Sequence, residues 1–485
     1  MSKINIEATQ QLIADRQELL KLPKGQLVDL ILIMREQLAA QQTQIETLML
    51  QVAALQKNST NSSKPPSSDL PGNGSGKAVP NHHRNSRQSS GRKPGGQPGH
   101  VGSTRELVSN PDTVIVCAPE TCEGCGFRLP GDVTTDTVIA RSQIVDIPPI
   151  TPTVTEYQAI ARMCSCGHVT NGNLPLEAAA SGTATIGTNA SSLLVYLNSA
   201  HHLPYQRLQQ VAADLFSLPL SQGTIANKLE VAGRAATPIA QTVLEYLHAS
   251  SCVGSDETGV RVAGKRIWQW VWQNAQASYY TISKHRDYQT AADNFGELYR
   301  GCLIHDCYSA QNNTPAGWHQ LCHAHLLRDL QFVVEAEHSS WAYHVQDFLI
   351  RSQRARDHIW ADGFDLARRE RIIDSYYQQL ERFTSQPLTG KEAIRLQKRL
   401  RKHEEKILYF MTTPDIPPDN NGSERAIRNA KVKQKVSGGY RSERGAERQA
   451  VLLSVIETAK KQGLNVLDTI QRLVAGETVV LFGAE

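Results

Sequence analysis

The 485-residue sequence lacks the features that would assign it to a membrane or secreted class. No apolar run approaches the roughly 20 residues that a transmembrane helix needs. The first segment, MSKINIEATQ, is polar and carries acid as well as base, unlike a secretory signal peptide. The net charge is only +4, from 51 basic and 47 acidic residues, so it does not indicate nucleic acid by itself. We predict a soluble, cytoplasmic protein without a membrane partner.

The composition supports several packed domains. Hydrophobic residues make up 40% of the chain, and a prior of about 150 residues per domain gives roughly three domains. Nine cysteines in a chain of cytosolic character favour reduced thiols, some bound to metal, over disulfides. We therefore predict a multidomain α+β protein.

A heptad repeat marks the N-terminal segment, within a predicted helix over 8–57. The repeat consists of Leu27, Ile31, Met34, Leu38, Gln41, Ile45, Leu48, Val52 and Leu55. Branched residues at a with Leu at d favour a parallel dimer, and Gln41 would help to set the register. The helix could instead pack on its own domain. The polar stretch that follows offers little apolar surface, so we predict a homodimeric coiled coil.

The next segment, 58–110, is predicted to be a disordered basic linker. Ser, Gly, Asn and Pro dominate, and apolar side chains are too few to form a core. Eight basic and two acidic residues lie between 57 and 106. Such a basic linker can bind DNA phosphates without recognising the base sequence, so we predict that Arg92 and Lys93 contact DNA. The alternative is a solvated tether.

Two cysteine pairs follow, in a predicted module over 111–180. Cys122 and Cys125 form C-x-x-C, and Cys164 and Cys166 form C-x-C, with Cys117 and His168 as substitute ligands. Four thiolates in two tight turns suit a closed, tetrahedral structural zinc site. A strand-like stretch, Ile144, Val145 and Ile147, runs between the two pairs.

Residues 181–248 are predicted to be helical. Two amphipathic stretches are separated by SLPLS, and Ser221 is a candidate N-cap of the second. This pattern is similar to a helix-turn-helix, whose second helix enters a major groove. Short helix pairs are also common in ordinary cores, so DNA reading and plain packing both remain open.

Short strands begin near residue 250, in a predicted catalytic domain over 249–475. Asp256 lies in the first strand, CVGSDETGVRV, and Asp306 ends a later one, CLIHDCYSA. Trp268, Trp270 and Trp272 alternate between them and are expected to face the core. Three strands, a helix and a further strand is the order of an RNase H-like fold, which would bring the two acids side by side. Taken singly, each acid could be a strand-end cap.

A third acid, Glu424, falls in the first turn of a helix after a double proline, with Asn421 or Ser423 as candidate caps. Residues 326–415, which separate it from Asp306, are helical in pattern and are predicted to be an all-helical insertion. Three carboxylates can hold two divalent ions that stabilise the attacking and leaving oxygens of phosphoryl transfer. The combination predicts metal-dependent cutting of nucleic acid.

The segment around Glu424 is basic, with ten basic and four acidic residues between 424 and 461. A solvated pair of charged helices is the plainer interpretation, but we favour contact with a phosphate backbone. The predicted DNA-binding residues are Arg425, Arg428, Lys431, Lys433, Lys435 and Arg441.

Cys322 and His325 are three residues apart, so on a helix they share one face, which is compatible with metal binding. With no second pair nearby in the sequence, we favour a structural role or a role in supporting metal ligands over a zinc site.

Several sequence blocks resemble transposases of the insertion sequence 66 family over almost the full chain. They are the N-terminal heptad repeat, NSSKPPSSD, GRKPGGQPGH, the cysteine pairs, SDETGVRV, IHDCYSAQN, CHAH and NNGSERAIRNAKVKQKVSGGYRS. The resemblance implies a DDE active site at Asp256, Asp306 and Glu424, and a helical insertion within an RNase H-like fold. The Cys322 and His325 pair is similar to a C-x-x-H signature of several DDE transposases. The second cysteine pair, Cys164 and Cys166, departs from this family pattern, because it is spaced C-x-C where C-x-x-C is commoner.

These observations lead to the hypothesis of a bacterial insertion-sequence transposase. Asp256 and Asp306 would share two Mg²⁺ or Mn²⁺ ions, and Glu424 would complete the second site. The expected partners are the terminal inverted repeats, target DNA and accessory proteins encoded by the element. The alternatives are a nuclease without strand transfer and a dimeric zinc-containing DNA-binding regulator without catalysis.

Overall fold

The computed structural model describes residues 19–55, 57, 61, 99, 105–129, 138–175, 178, 185–295, 299–361 and 363–483. Arg92, Lys93 and most of the predicted linker lie outside these residues. The chain divides into two compact units, of which the smaller contains the described residues between 99 and 175 together with 210–220. Within the described part of the chain, no helix is both long enough and apolar enough to cross a membrane.

The predicted N-terminal helix is present as α1, Lys24–Leu55. Its heptad positions are largely open to solvent; Leu38 is 62% exposed and Leu48 is 59% exposed. Just beyond the helix, the ammonium of Lys57 lies 3.8 Å from the ring centroid of Phe332. The described residues therefore leave most of the apolar seam of α1 uncovered.

The smaller unit has little regular structure. Its strands β1, Ala161–Met163, and β2, Val169–Asn171, form an antiparallel pair. The strand-like stretch predicted around Ile144 is not a strand, and Ile144 is 94% exposed. Alternating apolar residues form a strand only where a neighbouring strand takes up their backbone hydrogen bonds, and the described residues of this unit provide none there.

Helices precede the large sheet. They are α2, Thr188–Val195, a π-helical turn, Tyr196–Ala200, then α3, Tyr205–Phe216, and α4, Gln222–Ala249. As predicted, the N-cap of α4 is Ser221, whose hydroxyl accepts the N–H of Thr224 at 3.0 Å.

Helix α4 runs for 28 residues, and a buried stripe follows its whole length. That stripe comprises Ile225, Leu229, Ala232, Gly233, Ala236, Ala240, Val243, Leu244 and Leu247. An apolar stripe of this length packs a helix onto its own core. DNA reading by the exposed first turn of α4 stays a prediction.

A five-stranded sheet forms the centre of the larger unit. Its strands are β3, Cys252–Val262, β4, Lys265–Gln273, β5, Ser278–Ser283, β6, Cys302–His305, and β7, Trp318–Leu321. Their order is β5-β4-β3-β6-β7, with antiparallel pairing from β3 to β5 and parallel pairing from β3 through β6 to β7. Helices and this mixed sheet together agree with the predicted α+β class.

The interior of the sheet follows the predicted aromatic pattern. Trp270 and Trp272 of β4 are almost fully buried, with ring centroids 5.8 Å apart, whereas Trp268 is half-buried. Two short helices, α5, Tyr288–Phe295, and α6, Ser309–Asn312, flank β6. Trp270 and Trp272 are therefore core residues, as expected from their alternation.

The chain between β7 and residue 420 contains helices and turns and, among its described residues, no strand. The helices are α7, His323–Glu337, α8, Ser340–Ile359, α9, Leu366–Ser385, and α10, Lys391–Lys402, followed by 3-10 turns at Glu404–Lys406 and Tyr409–Met411. Their buried apolar residues form one cluster that also includes Ile304 of β6 and Leu321 of β7. This shared core holds the helices against the edge of the sheet.

Three helices complete the chain: α11, Asn421–Ser437, α12, Glu443–Lys461, and α13, Val466–Ala475. The N-cap of α11 is Asn420, so neither candidate, Asn421 or Ser423, is the cap. The Asn420 amide instead donates to the carbonyl of Ser255 at 2.6 Å, and the Ser423 hydroxyl donates to Asn420 Oδ1 at 2.6 Å. These bonds fix the start of α11 against β3.

Candidate active site

Asp256 and Asp306 lie on neighbouring parallel strands. Gly254 of β3 pairs with Ile304 of β6, and the same offset two residues further on brings Asp256 opposite Asp306, directly after β6 ends. Asp256 Oδ1 accepts the N–H of Glu257 at 2.9 Å, and Asp306 Oδ1 accepts the N–H of Tyr308 at 2.9 Å. The two half-buried carboxylates therefore meet at one edge of the central strand pair.

Glu424 approaches from the first turn of α11 and is also half-buried. Its Oε1 lies 3.0 Å from Arg328 Nη2 and 3.6 Å from His325 Nδ1, and both partners belong to α7. Arg328 is an ion-pair partner that sequence reasoning missed, because nothing in the α7 pattern distinguishes it from other helical arginines. The long helical segment therefore supplies side chains to the third acid.

The three acids share one electrostatic neighbourhood. Burial raises the pKa of Asp256 well above its usual value, and the negative charges of Glu257, Asp306 and Glu424 add to that rise. Like charges disfavour ionisation of one another at short range. The oxygens of Asp256, Asp306 and Glu424 are not all within 4.8 Å of one another. The three carboxylates must therefore move closer together before they can bind a common ion.

A fourth carboxylate, Glu257, was missed by the sequence analysis. It is 8% exposed, and burial, with the charge of Asp306, raises its pKa to about 7 although Arg286 opposes the rise. Its oxygens accept Arg286 Nε at 2.6 Å and Gln311 Nε2 at 2.7 Å. The signal that could have found it was an acid directly beside Asp256 in a strand that is otherwise apolar.

Arg286 links this fourth acid to the turn after β6. Its guanidinium lies 3.8 Å from the ring centroid of Tyr308 and 4.9 Å from that of Trp268. The Tyr308 hydroxyl donates to the carbonyl of Arg286 at 2.8 Å. Since the N–H of Tyr308 also binds Asp306, this stack helps to hold Asp306 in place.

Cys322 and His325 are brought against Glu424. Cys322 is the N-cap residue of α7, and its Sγ accepts the N–H of Asn420 at 3.1 Å. Burial raises the pKa of Cys322 to about 12, opposed by the N–H groups of Asn420 and His325. One ligand atom from each of Cys322, His325 and Glu424 lies within 4.8 Å of the other two, the one such group found among the described residues.

The cysteine pairs of the smaller unit stay apart in this structure. The pKa of Cys122 is lowered chiefly by the N–H of Cys125, and that of Cys164 chiefly by the N–H of Cys166, so each pair is internally close. All four thiols are free, and three of them are exposed. The two pairs do not meet in one cluster, and the zinc site remains a prediction.

The predicted DNA-binding residues fall into two groups. Arg425, Arg428, Lys435 and Arg441 are exposed. Lys431 is half-buried and donates to the carbonyl of Gly259 at 3.3 Å. Lys433 is 7% exposed, and burial lowers its pKa to about 8. Its ammonium is directed into the protein, so this structure does not present it to a phosphate.

The donor set at Asp256, Asp306 and Glu424 consists of oxygens, the ligands that magnesium and manganese prefer. A divalent cation would neutralise the repulsion that raises the pKa of Asp256. These residues therefore fit a hard metal ion, and the exposed arginines at the start of α11 offer charge to a phosphate beside them.

Two family profiles match separate parts of the chain. The profile described as "Transposase IS66 family" matches residues 184–448, and that of a family of unknown function matches residues 7–106. An uncharacterised protein of Sinorhizobium fredii, y4jD, is 25% identical over 436 residues, which cover 81% of each chain. A second one, y4jO, is 36% identical over 78 residues, 16% of this chain and 24% of the relative.

Proposed function

Because this chain belongs to the IS66 family of transposases, we propose that it cleaves DNA at the ends of an insertion sequence and joins those ends to target DNA. The observation that carries the proposal is that Asp256 and Asp306 lie on adjacent parallel strands, while Glu424 approaches from the first turn of α11, near enough for its charge to act on Asp256. The order β5-β4-β3-β6-β7, parallel only from β3 to β7, supports an RNase H-like catalytic domain.

Each acidic side chain has a distinct part in this proposal. Asp256 and Asp306 would hold magnesium or manganese from adjacent strands, and Glu424 would complete the set of ligands. When bound, the metal lowers the pKa of the attacking water or hydroxyl and stabilises the leaving oxygen. Arg425 and Arg428 bind flanking phosphates and hold the scissile bond beside the acids.

The test is Asp256→Asn, which keeps the side-chain shape and removes the charge. We expect this variant to bind DNA carrying the inverted repeats that flank the gene, and to lose cleavage and joining with magnesium. Asp374→Asn, an exposed acid of α9, is the matched control and should retain both activities. Normal cutting by Asp256→Asn would show that the proposed catalytic role is wrong.

The same assay separates the alternatives. Cut ends that never join target DNA would indicate a nuclease. Binding by the parent protein without any cutting would indicate a regulator whose acids are structural. Joined products that require Asp256 support the transposase.

We further infer that Cys122, Cys125, Cys164 and Cys166 bind one structural zinc ion. Both pairs lie in tight turns, with Gly126 at a φ of +73° and Gly167 at +86°. Such turns direct backbone N–H groups toward the thiols and favour thiolates. Metal analysis after gel filtration should find that replacing all four with Ser removes about one zinc per chain. Unchanged zinc content would reject the site.

A further inference from the structure

A second group of potential metal ligands lies beside the three acids. It consists of the Cys322 thiol, the His325 imidazole and the Glu424 carboxylate, with one ligand atom of each within 4.8 Å of the others. Metal–ligand bonds of about 2.0–2.3 Å place tetrahedral ligand atoms closer together than that. Small side-chain rotations would therefore suffice to enclose one ion.

The ligand atoms are held by two helix starts. Cys322 caps α7, His325 lies in the first turn of α7, and Glu424 lies in the first turn of α11. The N–H of Asn420, just before α11, donates to Cys322 Sγ and so ties the two helix starts together. A backbone N–H bond to sulfur also supports the charge of a thiolate ligand.

His325 supplies an independent observation. Its Nδ1 is buried and has no hydrogen-bond partner among the described residues, although it faces Glu424 Oε1 at 3.6 Å. Buried polar nitrogens are almost always hydrogen-bonded, whereas this one lies beyond hydrogen-bond distance of the Glu424 carboxylate and can accept a ligand between them. A divalent cation supplies one.

We propose that Cys322, His325 and Glu424 bind one borderline-soft divalent cation of the zinc type, with a fourth position open to water. Sulfur and imidazole ligands select such an ion over magnesium. The ion would share only Glu424 with the oxygen-rich site at Asp256 and Asp306. Its effect on catalysis rests on the function proposed above; the binding itself does not.

Arg328 sets the strength of the site. It lies 3.0 Å from Glu424 Oε1, so a cation must compete with a guanidinium for the same carboxylate. Binding is therefore reversible and weaker than at a closed four-thiolate site. An ion bound there holds Glu424 against α7 and keeps it from Asp256 and Asp306.

Cobalt, a spectroscopic substitute for zinc, provides the direct probe. The parent is the full chain with both cysteine pairs (Cys122, Cys125, Cys164 and Cys166) changed to Ser, and its folding is checked by circular dichroism. Added Co²⁺ should produce a sulfur-to-metal charge-transfer band and bind at about one equivalent. Cys322→Ser should abolish the band, and His325→Gln should weaken binding about 10-fold or more.

Cys302→Ser, which changes another buried cysteine of the same core, is the control and should keep the band. The proposal is overturned if the parent binds no Co²⁺, or if Cys322→Ser and His325→Gln bind it as the parent does. His325→Gln preserves the buried thiol, so it remains informative should Cys322→Ser fail to fold.

The consequence for catalysis is measured separately. Zn²⁺ added to the magnesium reaction should slow cleavage by the parent, with each variant compared with its own rate without zinc. His325→Gln should need about 10-fold more zinc for the same fractional inhibition. If zinc inhibited cleavage by the parent and by His325→Gln equally, the proposed effect of the bound ion on Glu424 would be rejected. A parent that binds Co²⁺ but never cuts DNA would instead count against the proposed function.

Discussion

Lys433 differs from the other basic residues of α11 in where its charge lies. Burial, with a contribution from the charge of Arg448, lowers its pKa from 10.5 to about 8. Arg428, five positions earlier on the same helix, is exposed. Both residues look alike in the sequence, since charge clusters do not reveal which members face the core.

Lys433→Met should increase stability without weakening DNA binding. Between pH 8 and 10.5 the unfolded chain binds more protons than the folded chain, so the free energy of unfolding rises with pH there. Below pH 8 the full cost of burying the charge is present. The variant should raise the free energy of unfolding at pH 7 by about 1–3 kcal/mol. Urea titrations at several pH values should show that its unfolding free energy increases less between pH 8 and 10.5 than that of the parent protein.

Arg428→Met is the comparison for binding, and it should reduce DNA affinity with little change in stability. If Lys433→Met lowered affinity as much as Arg428→Met and gave no gain in stability, then Lys433 would contact DNA in a conformation unlike this one.

The junction between α11 and β3 determines the position of Glu424. A Cβ atom added at Gly254 would lie 2.5 Å from both Asn420 Oδ1 and Ser423 Oγ. Only glycine lets the start of α11 approach the strand this closely. The sequence pattern placed the cap of this helix at Asn421 or Ser423, one or three residues after the observed cap, Asn420. The contact with β3 joins residues far apart in the chain and was not predicted.

Gly254→Ala should therefore displace the start of α11. The added methyl group meets polar atoms that hydrogen bonds hold in place, so we expect a loss of about 1–3 kcal/mol in unfolding free energy. Because Glu424 moves with the helix, DNA cleavage should fall further than stability alone explains. Urea denaturation and cleavage assays under native conditions measure the two effects.

Gly187→Ala is the matched control for that substitution. Gly187 has a negative φ of −68° and no atom within 4 Å of an added Cβ. Gly187 is the N-cap of α2, where Ala is less favourable than Gly by up to about 1 kcal/mol. Stability should therefore fall less than in Gly254→Ala, and cleavage beyond the effect of stability should be unchanged. Equal effects at the two positions would contradict the close-packing explanation.

On the scale of the whole molecule, helix α1 exposes a continuous row of large apolar side chains among the described residues. Ile31 is 61% exposed and Leu55 is 79% exposed, at opposite ends of the same heptad seam. A second copy of this helix would bury that seam by knobs-into-holes packing. The proposed transposase would then hold two element ends in one dimer.

Leu38→Asp should convert the predicted dimer into a monomer, because it puts a charge into the centre of the seam. Analytical ultracentrifugation gives the mass directly. Ala40→Asp adds the same charge to an exposed position off the seam and should leave the mass unchanged. A parent protein that is already monomeric at micromolar concentration would contradict the coiled-coil prediction.

The sequence by itself determined the local features: the helical heptad, the Ser221 cap, the buried tryptophans and the strands that carry Asp256 and Asp306. Each depends on neighbours within a few residues, which periodicity and capping chemistry report directly. The strand expected at Ile144 is wrong because pairing depends on a partner elsewhere in the chain.

Tertiary structure alone decided which distant side chains meet. Arg328 and His325 reach Glu424 across about a hundred residues of chain, Glu257 is buried against Arg286, and Lys433 turns inward. The free energies of these contacts depend on burial and on charges that packing brings together. The order of residues along the chain does not reveal which side chains are buried or which charges lie close together.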